Sequence, residues 1–217
     1  NACGRMGYEE EALKLFLTED VAEAEAITEK LNKYNRDRQD IEKAIYEQAI
    51  EMIEKERLDN KNSIVLGSDG WHHGVIGIVS SKITDIYFKP SILVCFEGDE
   101  AKGSGRSIPG FDLHEALSHM QDYIGKYGGH EMAVGLSLKR EKFEILKEKF
   151  EEYVTEKDTS DLLPIIEIDK LITLKDLTID IVKELDMLEP FGEANKRPLF
   201  VYKNLKIDSI RALSEGK

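Results

Sequence analysis

The chain has 217 residues, 41 % hydrophobic and 34 % charged, with sixteen glycines, five prolines and two cysteines. That make-up suits one large or two modest globular domains. No apolar run approaches the ~20 residues of a membrane helix, no charged-then-apolar leader opens the chain, and Cys3 and Cys95 stand too far apart for a disulfide framework or paired-cysteine metal site, so a reducing, cytoplasmic setting is expected.

Charge argues against a general nucleic-acid binder: 30 basic residues face 43 acidic ones, net −13, and neutralising phosphates takes a surplus of Lys and Arg. The distribution softens this. Residues 1–62 hold 10 basic and 16 acidic side chains, residues 161–217 hold 9 and 11, and a local basic groove fits on an acidic body.

Residues 1–17 read as the end of a preceding domain in a longer chain, opening on Asn-Ala-Cys-Gly-Arg-Met-Gly. From Thr18 to about Lys61 there is neither proline nor glycine. Thr18 is a candidate N-cap, with Glu19 and Asp20 on the first turn. Ala24, Ile27, Leu31, Tyr34, Ile41, Ile45, Ala49 and Met52 make one apolar stripe at helical spacing. Polar residues interrupt the heptads near Arg38, so this helix, residues 18–62, is expected to bridge two domains rather than form a coiled coil. Residues 63–158 alternate strand and helix: strands at Ile64–Leu66, Ser91–Phe96 and Val134–Leu138, helices at Gly74–Tyr87, Leu113–Ile124 and Glu141–Val154, and a glycine-rich segment from Lys102 to Gly110. The order predicts an α/β fold with helices covering a mixed sheet. Residues 159–217 change character, with alternation over Ile165–Leu171, an amphipathic helix at Ile179–Leu188 and a strand over Leu199–Ile210. They read as the start of a partial, β-rich domain broken off near Ser214-Glu215-Gly216-Lys217.

Three glycine-containing clusters carry the chemistry. Gly70-Trp71-His72-His73-Gly74 lies between a strand end and a helix start, where bare amides favour an anion; a tight turn plugged by the lone Trp71 explains it equally. Lys102-Gly103-Ser104-Gly105-Arg106-Ser107 sets two hydroxyls and a guanidinium on a bare backbone, the parts of a phosphate nest; the plainer reading is a hairpin turn with an exposed Arg. Gly128-Gly129-His130 presents an imidazole beside a closely approachable backbone, for a phosphate contact or proton transfer, or caps a structural element. His72 and His73 have no Cys or carboxylate at ligand spacing, a poor metal signal.

Taken in order, Trp71–Val79, Gly103–Leu113 and Gly128–Gly135 resemble the substrate-binding, DHH-associated domain of the RecJ family, single-strand-specific 5′→3′ DNA exonucleases of the DHH phosphoesterase superfamily. The resemblance continues through Leu188-Glu189-Pro190-Phe191-Gly192, Asn195 and Pro198-Leu199-Phe200, similar to the opening of the family's OB-type domain, and back to Asn1–Gly7, similar to the last segment of its DHH domain. It implies that Ser104 and Arg106, with Gly103, Gly105 and Ser107, hold the 5′-terminal phosphate of single-stranded DNA. It implies also that His130, presented by Gly128 and Gly129, assists at the scissile phosphate, with Trp71 and His72 beside the strand's path.

The family's Asp-His-His metal motif has no counterpart in this sequence. The resemblance places Mn²⁺ or Mg²⁺ in the DHH domain of the full-length enzyme, and the present chain is expected to bind no metal and to be inactive alone, within an enzyme of DNA repair and recombination. Exposed apolar positions on the long helix are a candidate dimer face. The competing readings are a DHH-family phosphodiesterase for short oligonucleotides or cyclic dinucleotides, and a non-catalytic nucleic-acid-binding module like that of alanyl-tRNA synthetases.

Overall fold

The computed structural model describes residues 1–157, 159 and 162–210. The chain divides into two units, Asn1–Leu163 and Pro164–Lys217.

The first unit opens with helices α1 (Ala2–Met6), α2 (Glu9–Leu17) and the 36-residue α3 (Val21–Glu56). The cap of α3 is Asp20, not Thr18: its carboxylate accepts from Ala22 N at 2.8 Å and Glu23 N at 3.3 Å. A carboxylate there also meets the positive end of the helix dipole. Thr18 instead takes the Asp20 amide on its own hydroxyl, at 3.2 Å. Of the apolar stripe, Ile27, Ile45 and Ala49 are buried, joined by Ile53. The polar break at Arg38 has a structural use. Glu42 lies buried one turn on, paired with Arg38 and with Lys82 Nζ at 2.5 Å, and this tethers α3 to the helix that carries Lys82.

The α/β layer follows: β1 (Ile64–Asp69), α4 (His73–Tyr87), β2 (Ser91–Glu97), β3 (Glu100–Arg106), α5 (Leu113–Ser118), β4 (Lys126–His130), β5 (Ala133–Lys139) and α6 (Phe143–Glu156). The sheet order is β1-β2-β3-β5-β4. β1 and β2 are parallel, joined by the α4 crossover, and every other pair is antiparallel. This is the expected mixed-sheet α/β fold. Side chains alternate across the sheet. Ile64, Leu66, Leu93 and Cys95 pack with Val75, Ile76, Val79 and Ile83 of α4 and with Ile45 and Ile53 of α3. Ile92, Val94, Val134, Leu136 and Leu138 pack on the other face against α5 and α6, around the fully buried Phe150. Removing a ring at such a site costs about 3–5 kcal/mol.

Three expectations are corrected here. The glycine-rich Lys102–Gly110 segment is not a hairpin turn through Arg106, since β3 is an interior strand paired on both sides. Gly128-Gly129-His130 is the end of edge strand β4 rather than a cap. The helix expected over Leu113–Ile124 stops at Ser118, whose hydroxyl bonds the Glu115 carbonyl at 2.6 Å, a local bond that competes with helix continuation. Successive turns then bury Met120 and Ile124.

The second unit holds β6 (Lys170–Leu171), α7 (Ile179–Asp186) and β7 (Phe200–Val201), with β6 and β7 parallel. The alternation over Ile165–Leu171 and the run Leu199–Ile210 each yield two strand residues. Ile165, Ile207 and Ile210 are exposed, and a pair of strands alone buries too little to order longer ladders. The expected break near Ser214–Lys217 lies outside the described residues.

Candidate nucleic-acid interface

Strand register turns the scattered clusters into one surface. Antiparallel partners point to the same face of a sheet, so β3, β5 and β4 set out three rows: Arg106–Ala133–His130, Ser104–Gly135–Gly128 and Lys102–Ser137–Lys126. The rows face the α4 side. α4 packs chiefly over β2 and β3, leaving the face of β5 and β4 more open. A Cβ added at Gly135 or Gly128 meets nothing within 4 Å. The result is a shelf of small residues with Arg106, His130, Lys102 and Lys126 at its corners, continuous with an open depression of about 390 Å³ lined by His73, Ile76, Lys102, Lys126, Gly135 and Ser137. Outer strands of the shelf are two spacings apart, roughly 10 Å, a width suited to an extended chain.

Why β3 is glycine-rich follows from its other face. A Cβ at Gly103 falls 2.8 Å from Leu136 Cδ2, and one at Gly105 falls 2.9 Å from Leu113 Cδ2 and Val134 Cγ2. The core side chains close directly over the strand, and the alternate positions are left to carry Lys102, Ser104 and Arg106.

The Arg106 guanidinium is half-buried and has no carboxylate partner among the described residues. Nε donates to Ser81 Oγ at 3.1 Å, and Nη1 donates to Ser104 Oγ at 3.1 Å and to the Gly105 carbonyl at 2.7 Å. Nη2 has no protein partner among the described residues, and no buried side-chain nitrogen or oxygen lacks one there, so Nη2 reaches solvent. Burial, and then the charge of Arg5, push the Arg106 pKa down, yet a guanidinium stays protonated. A cation is thus held half-buried with no carboxylate paired to it among the described residues.

Arg5 was not singled out from the sequence, where nothing local marks it. It arrives by close packing: a Cβ at Gly74 falls 2.0 Å from the Arg5 carbonyl oxygen, and Arg5 Nη1 donates back to the Gly74 carbonyl at 3.3 Å. This seats Arg5 at the positive end of α4. His72 is the α4 N-cap, Nδ1 accepting from Gly74 N at 3.1 Å, and burial followed by the charge of His73 lowers its pKa. His73 stacks on His72 and lies 3.3 Å from Glu97, which also holds Lys102 Nζ at 2.9 Å.

Two expected site residues face elsewhere. Trp71 is buried against α3, its indole N–H donating to Gln48 Oε1 at 2.8 Å, and it is the turn plug that the first cluster allowed. Ser107 is buried too, its hydroxyl donating to the Phe111 carbonyl at 2.7 Å, which closes the loop after β3. His130 is exposed, with Nδ1 accepting from Met132 N at 3.3 Å. Gly129 has φ +139°, and a Cβ there falls 2.2 Å from the Ala133 carbonyl oxygen, so only glycine lets β4 meet β5 at this point.

No three His, Cys, Asp or Glu side chains converge among the described residues, so they offer no fit for a divalent metal. No helix among them is long and apolar enough to cross a membrane.

This sheet with its open shelf is that of a DHHA1 domain, whose family model matches residues 60–156, and a RecJ OB domain matches residues 168–217. The single-stranded-DNA-specific exonuclease RecJ of Bacillus subtilis is 36% identical over 220 residues, spanning 100% of this chain and 28% of that protein. Crystal structures of Thermus thermophilus RecJ superpose with TM-scores of 0.80 (with Mn²⁺) and 0.77 (with Mg²⁺). Both are 32% identical, covering 93% and 92% of this chain and 30% and 31% of theirs. The chain belongs to the RecJ family, corresponding to the C-terminal part of its members, and spans about a third of their length.

Proposed function

We propose that this chain is the strand-gripping part of a single-stranded-DNA 5′→3′ exonuclease. The shelf carries the sugar-phosphate backbone, its small residues admit close approach, and its basic corners meet phosphates. Arg106, Ser104 and Arg5 hold the 5′-terminal phosphate, which bears more charge than an internal diester. His130, across the shelf, faces the phosphate to be cleaved. Hydrolysis itself uses a Mn²⁺- or Mg²⁺-activated water, with ligands from outside the described residues. The setting is cytoplasmic DNA repair and recombination.

One observation carries this reading. Arg106 is a half-buried guanidinium whose Nη2 has no protein partner and which pairs with no carboxylate among the described residues. Such an arrangement is unfavourable until an anion arrives, and a phosphate monoester supplies the charge and the acceptors that Nη2 and Ser104 lack. The RecJ OB match over residues 168–217 supports a polymeric strand over a cyclic dinucleotide as substrate.

The test is a crystal structure with a 5′-phosphorylated oligonucleotide. The terminal phosphate is expected within hydrogen-bond reach of Arg106 Nη2 and Ser104 Oγ. A terminal phosphate bound elsewhere, with only internal diesters at Arg106, overturns the assignment.

A further inference from the structure

Helix α4 touches the Arg106 side chain at two positions one turn apart, Gly77 and Ser81. Ser81 Oγ accepts from Arg106 Nε at 3.1 Å and donates back to the Gly77 carbonyl at 3.3 Å. A Cβ at Gly77 falls 2.8 Å from Ser104 Oγ and 3.1 Å from Arg106 Nη2. Below them a buried hydroxyl chain anchors the strand. Ser91 Oγ meets Ser80 Oγ at 2.7 Å and Thr84 Oγ1 at 2.8 Å, and Ser91 is the cross-strand partner of Arg106.

We propose that Ser81 and Gly77 are positioning residues that set the specificity of Arg106 for a terminal phosphate, Ser81 by fixing the guanidinium and Gly77 by leaving Nη2 uncovered. This rests on the assignment of the 5′-phosphate to Arg106. Of the five N–H bonds of a guanidinium, Ser81 takes the one on Nε, and Ser104 with Gly105 take the two on Nη1. That leaves the Nη2 pair as the open donors. With Nε unbound the group turns about its last side-chain torsions and presents itself to internal diesters as readily as to an end. Gly77 lies where any larger residue covers Nη2 and pushes the Ser104 hydroxyl aside.

The experiment compares affinity for 5′-phosphate and 5′-hydroxyl oligonucleotides in the full-length exonuclease carrying this chain, with thermal stability recorded alongside. Arg106→Ala is the control for the underlying reading, and is expected to erase the preference. Ser81→Ala is expected to lower the 5′-phosphate preference about 2- to 12-fold, the worth of one oriented hydrogen bond, with 5′-hydroxyl affinity unchanged; Ser81→Thr keeps the hydroxyl and the preference. Gly77→Ala is expected to lower the preference by displacing the Ser104 hydroxyl and covering Nη2, with the melting temperature showing that the variant remains folded.

If Arg106→Ala erases the preference and Ser81→Ala and Gly77→Ala leave it intact, or weaken both substrates equally, the positioning role is overturned and the phosphate assignment stands. If Arg106→Ala itself weakens both substrates equally, both fall.

Discussion

Ser104 Oγ accepts a hydrogen bond from Arg106 Nη1 at 3.1 Å, so two residues on one face of β3 are joined into a single polar group. The bond leaves the Ser104 hydroxyl hydrogen and both Nη2 hydrogens without a protein acceptor among the described residues. Arg106→Ala in the full-length enzyme is expected to remove most of the preference for 5′-phosphorylated strands. A hydrogen bond to a charged group is worth ~1.5–3 kcal/mol, or roughly 10- to 150-fold. Arg106→Lys restores the charge without the planar fork and is expected to recover part of it. Competition binding with 5′-phosphate and 5′-hydroxyl strands measures both; equal loss on the two substrates makes Arg106 a general backbone contact.

The shelf predicts that neighbouring glycines behave oppositely. Gly135 has open space where its side chain would stand, and β-branched residues suit strands. Gly135→Val is therefore expected to fold with unchanged or higher melting temperature and to lose affinity for single-stranded DNA. Gly129→Ala meets the Ala133 carbonyl and a φ of +139°, and is expected to lower stability by at least ~1–3 kcal/mol. Thermal melts with binding isotherms separate the two; a Gly135→Val protein that binds normally would show that the strand does not run over β5.

The α/β order, the long helix and the three clusters were legible because periodicity and glycine placement are local signals. The identity of β3 as an interior strand was not. Gly103 and Gly105 lower β propensity, and the reason for them, Leu136, Val134 and Leu113 closing over the backbone, comes from distant segments. Arg5, Ser81 and Gln48 were missed for the same cause, since each meets its partner across 23 to 69 residues of chain. Ser107 and Trp71 looked chemical because hydroxyls and aromatics near glycine look alike whether they face a ligand or a carbonyl. Only the turn geometry separates them.

Salt dependence tests how many cations the shelf contributes. Arg5, Arg106, Lys102 and Lys126 are the permanently charged groups around it, and Lys102 is already paired with Glu97. With ~0.7 of slope per phosphate contact on a single strand, the plot of log affinity against log salt is expected to have a slope no steeper than about −2.8. Lys126→Ala should flatten it by about 0.7. A much steeper slope, unchanged by Lys126→Ala, would place the main phosphate track on another surface.

His72 links stability to pH in a definite direction. Its folded pKa lies below the ordinary 6.5, first because of burial and then because of the charge of His73. Its Nδ1 must be unprotonated to accept from Gly74 N at 3.1 Å. The unfolded chain therefore takes up a proton on His72 at higher pH than the folded chain does. The stabilising contribution is complete above about pH 6.5 and declines as pH falls toward the folded value, because stability drops wherever the unfolded state binds more protons. Asp69, Glu97, Glu115 and Asp176 also have pKa values lowered by their partners, but their losses come at and below the ordinary carboxylate range. The window from pH 7.5 to 5.5 thus belongs to histidine. His72→Asn keeps an N-cap acceptor of good propensity and removes the titration. Urea midpoints taken across that window are expected to fall more for the parent chain than for His72→Asn, with the gap between the two changing toward the acidic end; parallel curves would mean that the imidazole at the start of α4 does not sense pH.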